Sequence, residues 1–300
     1  MSYYLLEAKM KVQLFSDLHY EFFKRDQSQF GSIVVKPEVD VILLLGDIDY
    51  GPFIMQRLYD ICYKWGKQVI YLPGNHEFYG QEMLEVLELF KHKIPGIHIL
   101  TGIDGFGEKE VIIDNVRFLG GTLWTDFALY KNSVRMPTVE EAMKIGAGSI
   151  NDFRKITYKG NPFTPENSVE LHKATIEQII KQLETPFNGK QVLLSHHGVH
   201  NASIHPHYSA DSRYLGSKKV LPGENPSWTM NPCFSSHLPE LLNNFDFAFH
   251  GHTHKKINFK CNNERKTQIM ANPRGYPLNY YGELRFENPE YNDLLVIEID

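Results

Sequence analysis

LLLGDIDYG, residues Leu43 to Gly51, begins as a strand and ends on two acids, Asp47 and Asp49. Val41 to Leu45 are five apolar residues in a row without period-2 alternation, the pattern of a strand covered on both faces. Water is scarce at the end of such a strand. An ionised carboxylate there is costly unless a cation, a metal or several hydrogen-bond donors meet it. The partner for Asp47 has to come from elsewhere in the chain.

Other short apolar runs read as strands: VQLF from Val12, QVIYL from Gln68, VRFLGG from Val116, QVLLS from Gln191, FDFAF from Phe245, TQIMA from Thr267 and LLVIEI from Leu294. Helical spacing lies between several of them. Ile54, Leu58, Ile61, Cys62 and Trp65 share one face, as do Met83, Leu84, Leu87 and Phe90. Thr164 with Pro165 marks an N-cap and first helical position, opening a helix whose apolar side is expected to carry Val169, Ile176, Ile180 and Leu183. Strand, helix, strand at the front predicts βαβ units and an α/β fold. The strand-dense second half predicts a further sheet packed on the first. Two stretches, 126–160 and 198–232, lack clear periodicity and are expected to form rim or cap segments on a single domain spanning 1–300.

Five of these strands are followed by residues that can bind metal. Asp17 and His19 follow the first, Asp47 the second, Asn75, His76 and Glu77 the third, His196 and His197 the QVLLS strand, and His252 and His254 the FDFAF strand. In parallel α/β sheets this is the edge where ligands bind. Taken singly, each has an ordinary explanation: a capping Asp, a turn at Gly74–Asn75, a core histidine. Five such accidents after five apolar strands are a poor account. Asp17, His19, Asp47, Asn75, His196, His252 and His254 offer two carboxylates, four imidazoles and one amide oxygen. Such a set suits Mn, Fe or Zn, whereas Mg and Ca ordinarily take more oxygen. Seven donors exceed the needs of one ion, so two divalent ions sharing a carboxylate are expected, with Asp47 as the bridge. A pair of this kind clamps the oxygens of a phosphate in in-line displacement, which predicts phosphoester hydrolysis by attack of a metal-bound hydroxide.

The composition limits the alternatives. The 300 residues are 42% hydrophobic, enough for a sizeable core. Lys and Arg number 31 against 36 Asp and Glu, a net charge of -5, so there is no basic excess for a nucleic acid. Cys62, Cys233 and Cys261 are few and widely spaced, against a disulfide framework and in favour of a cytoplasmic protein. The opening MSYYLLEAKMKVQLFSDLH lacks the pattern of a signal peptide, and no segment reaches the length of a membrane span, so no membrane anchor is expected. Nothing in the composition speaks to oligomeric state.

In order along the chain, SDLHYEF, LLGDID, PGNHEFY, LLSHHG and FHGHTH resemble the motif set of the calcineurin-like metallophosphoesterase superfamily. The resemblance implies a four-layer α/β/β/α sandwich with a dinuclear centre at the strand ends. It implies that Asp17, His19, Asp47 and His254 hold one ion and that Asp47, Asn75, His196 and His252 hold the other. Spacing leaves His197 open in place of His196, and His196 is preferred because it comes first after the strand. His76 corresponds to the family's non-ligand histidine, which stabilises the transition state or protonates the leaving oxygen. Glu77 and Asp49 are expected to orient these groups from outside or to be solvated acids.

The protein Ser/Thr phosphatase branch carries an Arg shortly after its Gly-Asp, whereas this chain has GDIDYG, which lowers the case for a protein substrate. INDFRKI around Asp152 and ANPRGYP around Arg274 are similar to segments of bacterial and phage-type members. Arg154, Arg213 and Arg274 are candidates for phosphate contact, since guanidinium matches phosphate geometry, and His200 is a candidate within the 198–232 segment. The expected activity is phosphatase or phosphodiesterase action on a phosphorylated small molecule. A nuclease with the same metals is the alternative, and a non-enzymatic scaffold is disfavoured because every ligand is present.

Overall fold

The computed structural model describes residues 9–23, 33–131, 136–204, 227–280 and 283–300. In chain order the strands are β1 (Met10–Phe15), β2 (Val41–Leu45), β3 (Gln68–Leu72), β4 (Ile97–Ile103), β5 (Phe106–Gly107), β6 (Val111–Ile113), β7 (Val116–Gly121), β8 (Thr157–Tyr158), β9 (Asn161–Pro162), β10 (Lys190–Ser195), β11 (Phe247–His250), β12 (Ile257–Lys260), β13 (Gln268–Ala271), β14 (Pro277–Tyr280), β15 (Glu283–Phe286) and β16 (Val296–Ile299). The helices are α1 (Phe53–Trp65), α2 (Met83–Leu89), α3 (Val139–Ser149), α4 (Asp152–Lys155), α5 (Pro165–Leu183) and α6 (Pro239–Leu242).

Two six-stranded sheets result, in the orders β16-β1-β2-β3-β4-β5 and β12-β13-β11-β10-β7-β6. In each the central pairings are parallel. The outermost pairings, β16 on β1, β5 on β4, β12 on β13 and β6 on β7, are antiparallel. Parallel strands require cover on both faces, and β2 shows why its apolar run has no alternation. Its Val41, Leu43 and Leu45 join Val12, Leu14, Ile70, Phe118, Val192 and Phe249 in a core between the sheets. Its Ile42 and Leu44 pack outward against Ile54, Leu58 and Ile61 of α1 and Met83 and Leu87 of α2. On the far side Leu119, Leu193 and Ile269 meet Ile179 of α5 and Leu241 and Leu242 of α6. This is the four-layer sandwich that the motifs imply.

On α5 the expected Val169, Ile176 and Leu183 pack partly buried on the core, and the expectation fails at Ile180. The buried side of the helix carries Leu171, His172, Thr175 and Ile179, and Ile180 is 50% exposed. The Thr164 cap is as expected, with Asn167 completing a reciprocal capping box. The stretch 126–160 contains more regular structure than its pattern suggests, with α3 capped by Thr138 and Glu141, then α4 and the β8–β9 hairpin. Within 198–232, residues 205–226 and hence Arg213 lie outside the described residues. No helix among the described residues is long and apolar enough to cross a membrane.

Candidate metal centre

The parallel strands bring the C-terminal ends of β1, β2, β3, β10 and β11 to one edge of the sandwich, and the chain turns sharply as it leaves them. Asp17, His19, Asp47, His252 and His254 all have φ between 46° and 63°. That region is uncommon for residues other than glycine, though Asp and His enter it more readily than most, and each such residue costs on the order of 1–3 kcal/mol. Backbone hydrogen bonds hold the turns: the Asp17 amide donates to Gly46 O at 3.0 Å, His19 to Asp47 O at 2.9 Å and Gly275 to Asp17 O at 3.1 Å. Gly74 is needed for close approach, because a Cβ there would lie 2.1 Å from Asp47 Oδ1.

Two groups of side chains share Asp47. Asp17, His19, Asp47 and His254 bring donor atoms within 4.8 Å of one another, and so do Asp47, His196 and His252. In the first group His254 Nε2 is 3.3 Å from Asp17 Oδ1, and His19 Nε2 is 3.1 Å from His254 Nε2 and 3.8 Å from Asp47 Oδ2. In the second, His196 Nε2 is 3.4 Å from Asp47 Oδ1, 3.0 Å from Asn75 Oδ1 and 3.2 Å from His252 Nδ1. All seven expected ligands therefore meet. His197 does not join them. Its Nδ1 faces Thr122 O at 3.2 Å, and burial together with neighbouring His196 pushes its imidazole down to about 3.

These donors suit cations. His196 Nδ1 donates to Leu45 O at 2.8 Å, which leaves Nε2 unprotonated toward the cluster in the neutral ring. The amide nitrogen of Asn75 donates to Asp152 Oδ1 at 2.8 Å and to the Tyr79 hydroxyl at 3.1 Å, turning Oδ1 inward. Glu287 Oε2 is 2.6 Å from His254 Nδ1. Glu77 accepts from the amides of Asp47, Ile48 and Gly74 at 2.8–3.0 Å and so fixes the loop that carries Asp47. Without ions, protons take their place. Burial opposes charge on His254, but Asp17 and Glu287 push it up to about 10. Burial likewise opposes charge on His196, and Asp47 and Asp17 push it up to about 9.

Residues 10–256 match the family model described as calcineurin-like phosphoesterase. The chain belongs to that family. An uncharacterised protein of Acanthamoeba polyphaga mimivirus is 23% identical over 312 residues, covering 95% of each chain. Among solved structures, the phosphopantetheinyl hydrolase of Mycobacterium tuberculosis shares the fold with a TM-score of 0.60 at 13% identity, over 95% of this chain and 99% of its own. As a calcineurin-like phosphoesterase the chain is a metal-dependent hydrolase.

The phosphoesterase centre opens into a cavity of about 340 Å³. Asp47, Asn75, His76, His252 and His254 form its floor, while Ile204, Met230, Phe234, Tyr276 and Glu287 are among its walls. Three expected substrate contacts lie elsewhere. Arg154 is exposed on α4 and donates back to Gly148 O, a bond that its place near the end of a short helix makes available. Arg274 is 2% exposed, packed over the rings of Tyr20, Phe23 and Phe286 and bonded to Leu18 O, so it braces the turn between Asp17 and His19. His200 caps a short turn at the Ala202 amide, with its ring against His237 and Phe259, and burial pushes it down to about 4. Asp49 pairs with Arg57 of α1 at 3.1 Å rather than reaching the donors. Sequence reasoning missed Glu21, Tyr79, Tyr276 and Glu287. Glu21, Tyr79 and Tyr276 fall inside motif segments already singled out, SDLHYEF, PGNHEFY and ANPRGYP, whereas Glu287 has no local signal.

Proposed function

We propose that this phosphoesterase hydrolyses a phosphomonoester or phosphodiester of a small or medium-sized molecule, with two divalent ions bridged by Asp47. One observation carries the reading: Asp47 belongs to both groups of donors. Asp17, His19, Asp47 and His254 would hold one ion, and Asp47, Asn75, His196 and His252 the other. The imidazole content of both sets favours Mn, Fe or Zn over Mg. Bound there, the ions supply Lewis acidity toward the phosphoryl oxygens and lower the pKa of a coordinated water.

The chain's own residues prepare the rest. His76 is in neither donor group that contains Asp47, yet it faces the same cavity. Its amide donates to Asp47 Oδ1 at 2.9 Å, and its Nε2 lies 3.1 Å from the Tyr276 hydroxyl and 3.9 Å from Asp47 Oδ2. Burial disfavours the imidazolium, but Asp47 and Glu21 outweigh it and raise the pKa of His76. In this reading His76 gives its Nε2 proton to the departing oxygen. Ile204, Met230 and Phe234 offer an apolar wall for the rest of the substrate.

Metal analysis and a substrate panel test the reading. Two ions per chain are expected, with turnover of aryl monoesters, bis-aryl diesters or a phosphopantetheinyl ester in Mn, Zn, Fe or Mg. The panel includes DNA to identify a nuclease. One ion per chain, or two ions with no ester hydrolysed, would overturn it.

A further inference from the structure

Glu21 lies two residues beyond His19 on the 3-10 turn Tyr20–Phe22, and the left-handed backbone of His19 folds the chain back on itself there. One of its oxygens, Oε1, is 2.8 Å from His19 Nδ1 and 2.8 Å from His76 Nδ1. A carboxylate oxygen has two lone pairs and accepts two N–H donors. Both rings then carry a proton on Nδ1 and turn Nε2 to the opposite side, free of a proton on His19 and bearing the transferable proton on His76. Those two Nε2 atoms converge on Asp47 Oδ2, at 3.8 Å from His19 and 3.9 Å from His76.

Glu287 makes the ordinary arrangement, one carboxylate behind one imidazole. Glu21 serves two imidazoles with different tasks. Its side chain is 11% exposed, and Oε2 is buried without a hydrogen-bond partner among the described residues. A carboxylate withdrawn from water with half its accepting capacity unused carries a desolvation cost that a surface position would avoid.

We infer that Glu21 is a positioning residue whose single oxygen sets the tautomer and aim of both His19 and His76, tying the grip on one ion to the placement of the proton donor. This rests on the dinuclear reading above. A merely structural ion pair would affect stability and leave the tautomers alone. A third ion held by His19, Glu21 and His76, whose donor atoms also lie close together, would appear in the metal stoichiometry.

The test uses full-length zinc-loaded protein with 15N-labelled histidine. Long-range 1H–15N spectra, assigned with single-histidine variants, should show His19 and His76 protonated at Nδ1. In Glu21→Ala the His76 tautomer should become mixed, and zinc affinity in chelator competition should fall about 10- to 100-fold. Its loss of turnover should depend on the leaving group as in His76→Ala. Glu21→Gln keeps an acceptor oxygen and should keep both tautomers with intermediate affinity. If Glu21→Ala does not fold, Glu21→Gln decides: intermediate affinity together with moved Nδ1 resonances of both His19 and His76, which lose a charged acceptor, supports the inference, and native affinity or an unmoved His76 resonance overturns it. Unchanged tautomers in Glu21→Ala, a loss confined to zinc affinity, or a native stoichiometry of three that drops to two would each overturn it. The spectra and the zinc competition need no substrate. A native protein that hydrolysed nothing on the panel would sink the proposed activity while leaving the role of Glu21 decided.

Discussion

At Asp47 the two donor groups meet, and its substitution should therefore cost more than that of any residue behind a donor. Asp47→Asn should reduce bound metal from two ions to at most one and lower turnover by more than the roughly 10- to 100-fold typical of outer partners. Elemental analysis and kinetics check this; two ions with native turnover would refute the bridge. Asp152 holds both Asn75 and the Tyr79 hydroxyl, so Asp152→Ala should weaken metal binding by about 10- to 100-fold with the fold intact. His76→Ala should keep both ions and lose about 10²- to 10⁴-fold in turnover, with a smaller loss for aryl phosphates, whose leaving group needs little protonation. The metal-free cluster also has a pH signature. Against burial, neighbouring carboxylates push His196 up to about 9 and His254 up to about 10 in the metal-free chain, so near neutral pH both carry protons that a metal must displace. Apparent affinity should rise with pH toward 9, and calorimetry in buffers of different ionisation enthalpy should detect proton release. Affinity independent of pH would contradict the assignment. The seven donors were legible because each follows an apolar strand. Glu287 was not, since an exposed acid near a hairpin looks like any solvated charge until the fold sets it against His254.

Elements were legible where one physical demand dominated their sequence. The expected β2, β3 and β7 have their observed boundaries, and in β2 burial on both faces accounts for the unbroken apolar run up to the strand end. α3 was hidden by Gly146 and Gly148, which weaken helix propensity. The reason for Gly146 is tertiary: a Cβ there would lie 3.0 Å from Cys233 Sγ, where the helix packs closely on the turn Ser227–Cys233. In α5 the apolar stripe was set at Ile180 when the buried residue is its neighbour Ile179, because Thr175 and His172 also face inward and a purely apolar reading passes over them. Adjacent isoleucines should therefore respond differently in urea unfolding. Ile179→Ala should cost about 2–5 kcal/mol. Ile180→Ala should stay within about 0.5 kcal/mol. Equal costs would place the stripe wrongly.

Across the whole molecule the centre joins both sheets, since β1, β2 and β3 belong to one and β10 and β11 to the other. Ions bound at this seam stabilise only the folded arrangement. At a free concentration 100 times its Kd, a single ion contributes about 2.7 kcal/mol. Removing metal with a chelator should lower Tm by several degrees, and restoring Mn or Zn should reverse the change in scanning calorimetry. An unchanged Tm would mean that the ions do not bridge the sheets. Beyond the family match, which ends at 256, Tyr276 and Glu287 contact His76 and His254, Arg274 braces the turn between Asp17 and His19, and β16 pairs with β1.

The pairing of β1 with β16 also bears on the order of events at the ribosome. β1 is translated long before β16, the antiparallel neighbour with which it pairs. At about 5–20 residues per second, the stretch from His19 to Val296 leaves Asp17 and His19 waiting roughly 15–60 s for that neighbour. A nascent chain stalled before Glu287 would thus present an unfinished pocket. Loading should follow this pairing, and the choice of metal would then fall to whichever ion the completed pocket meets first.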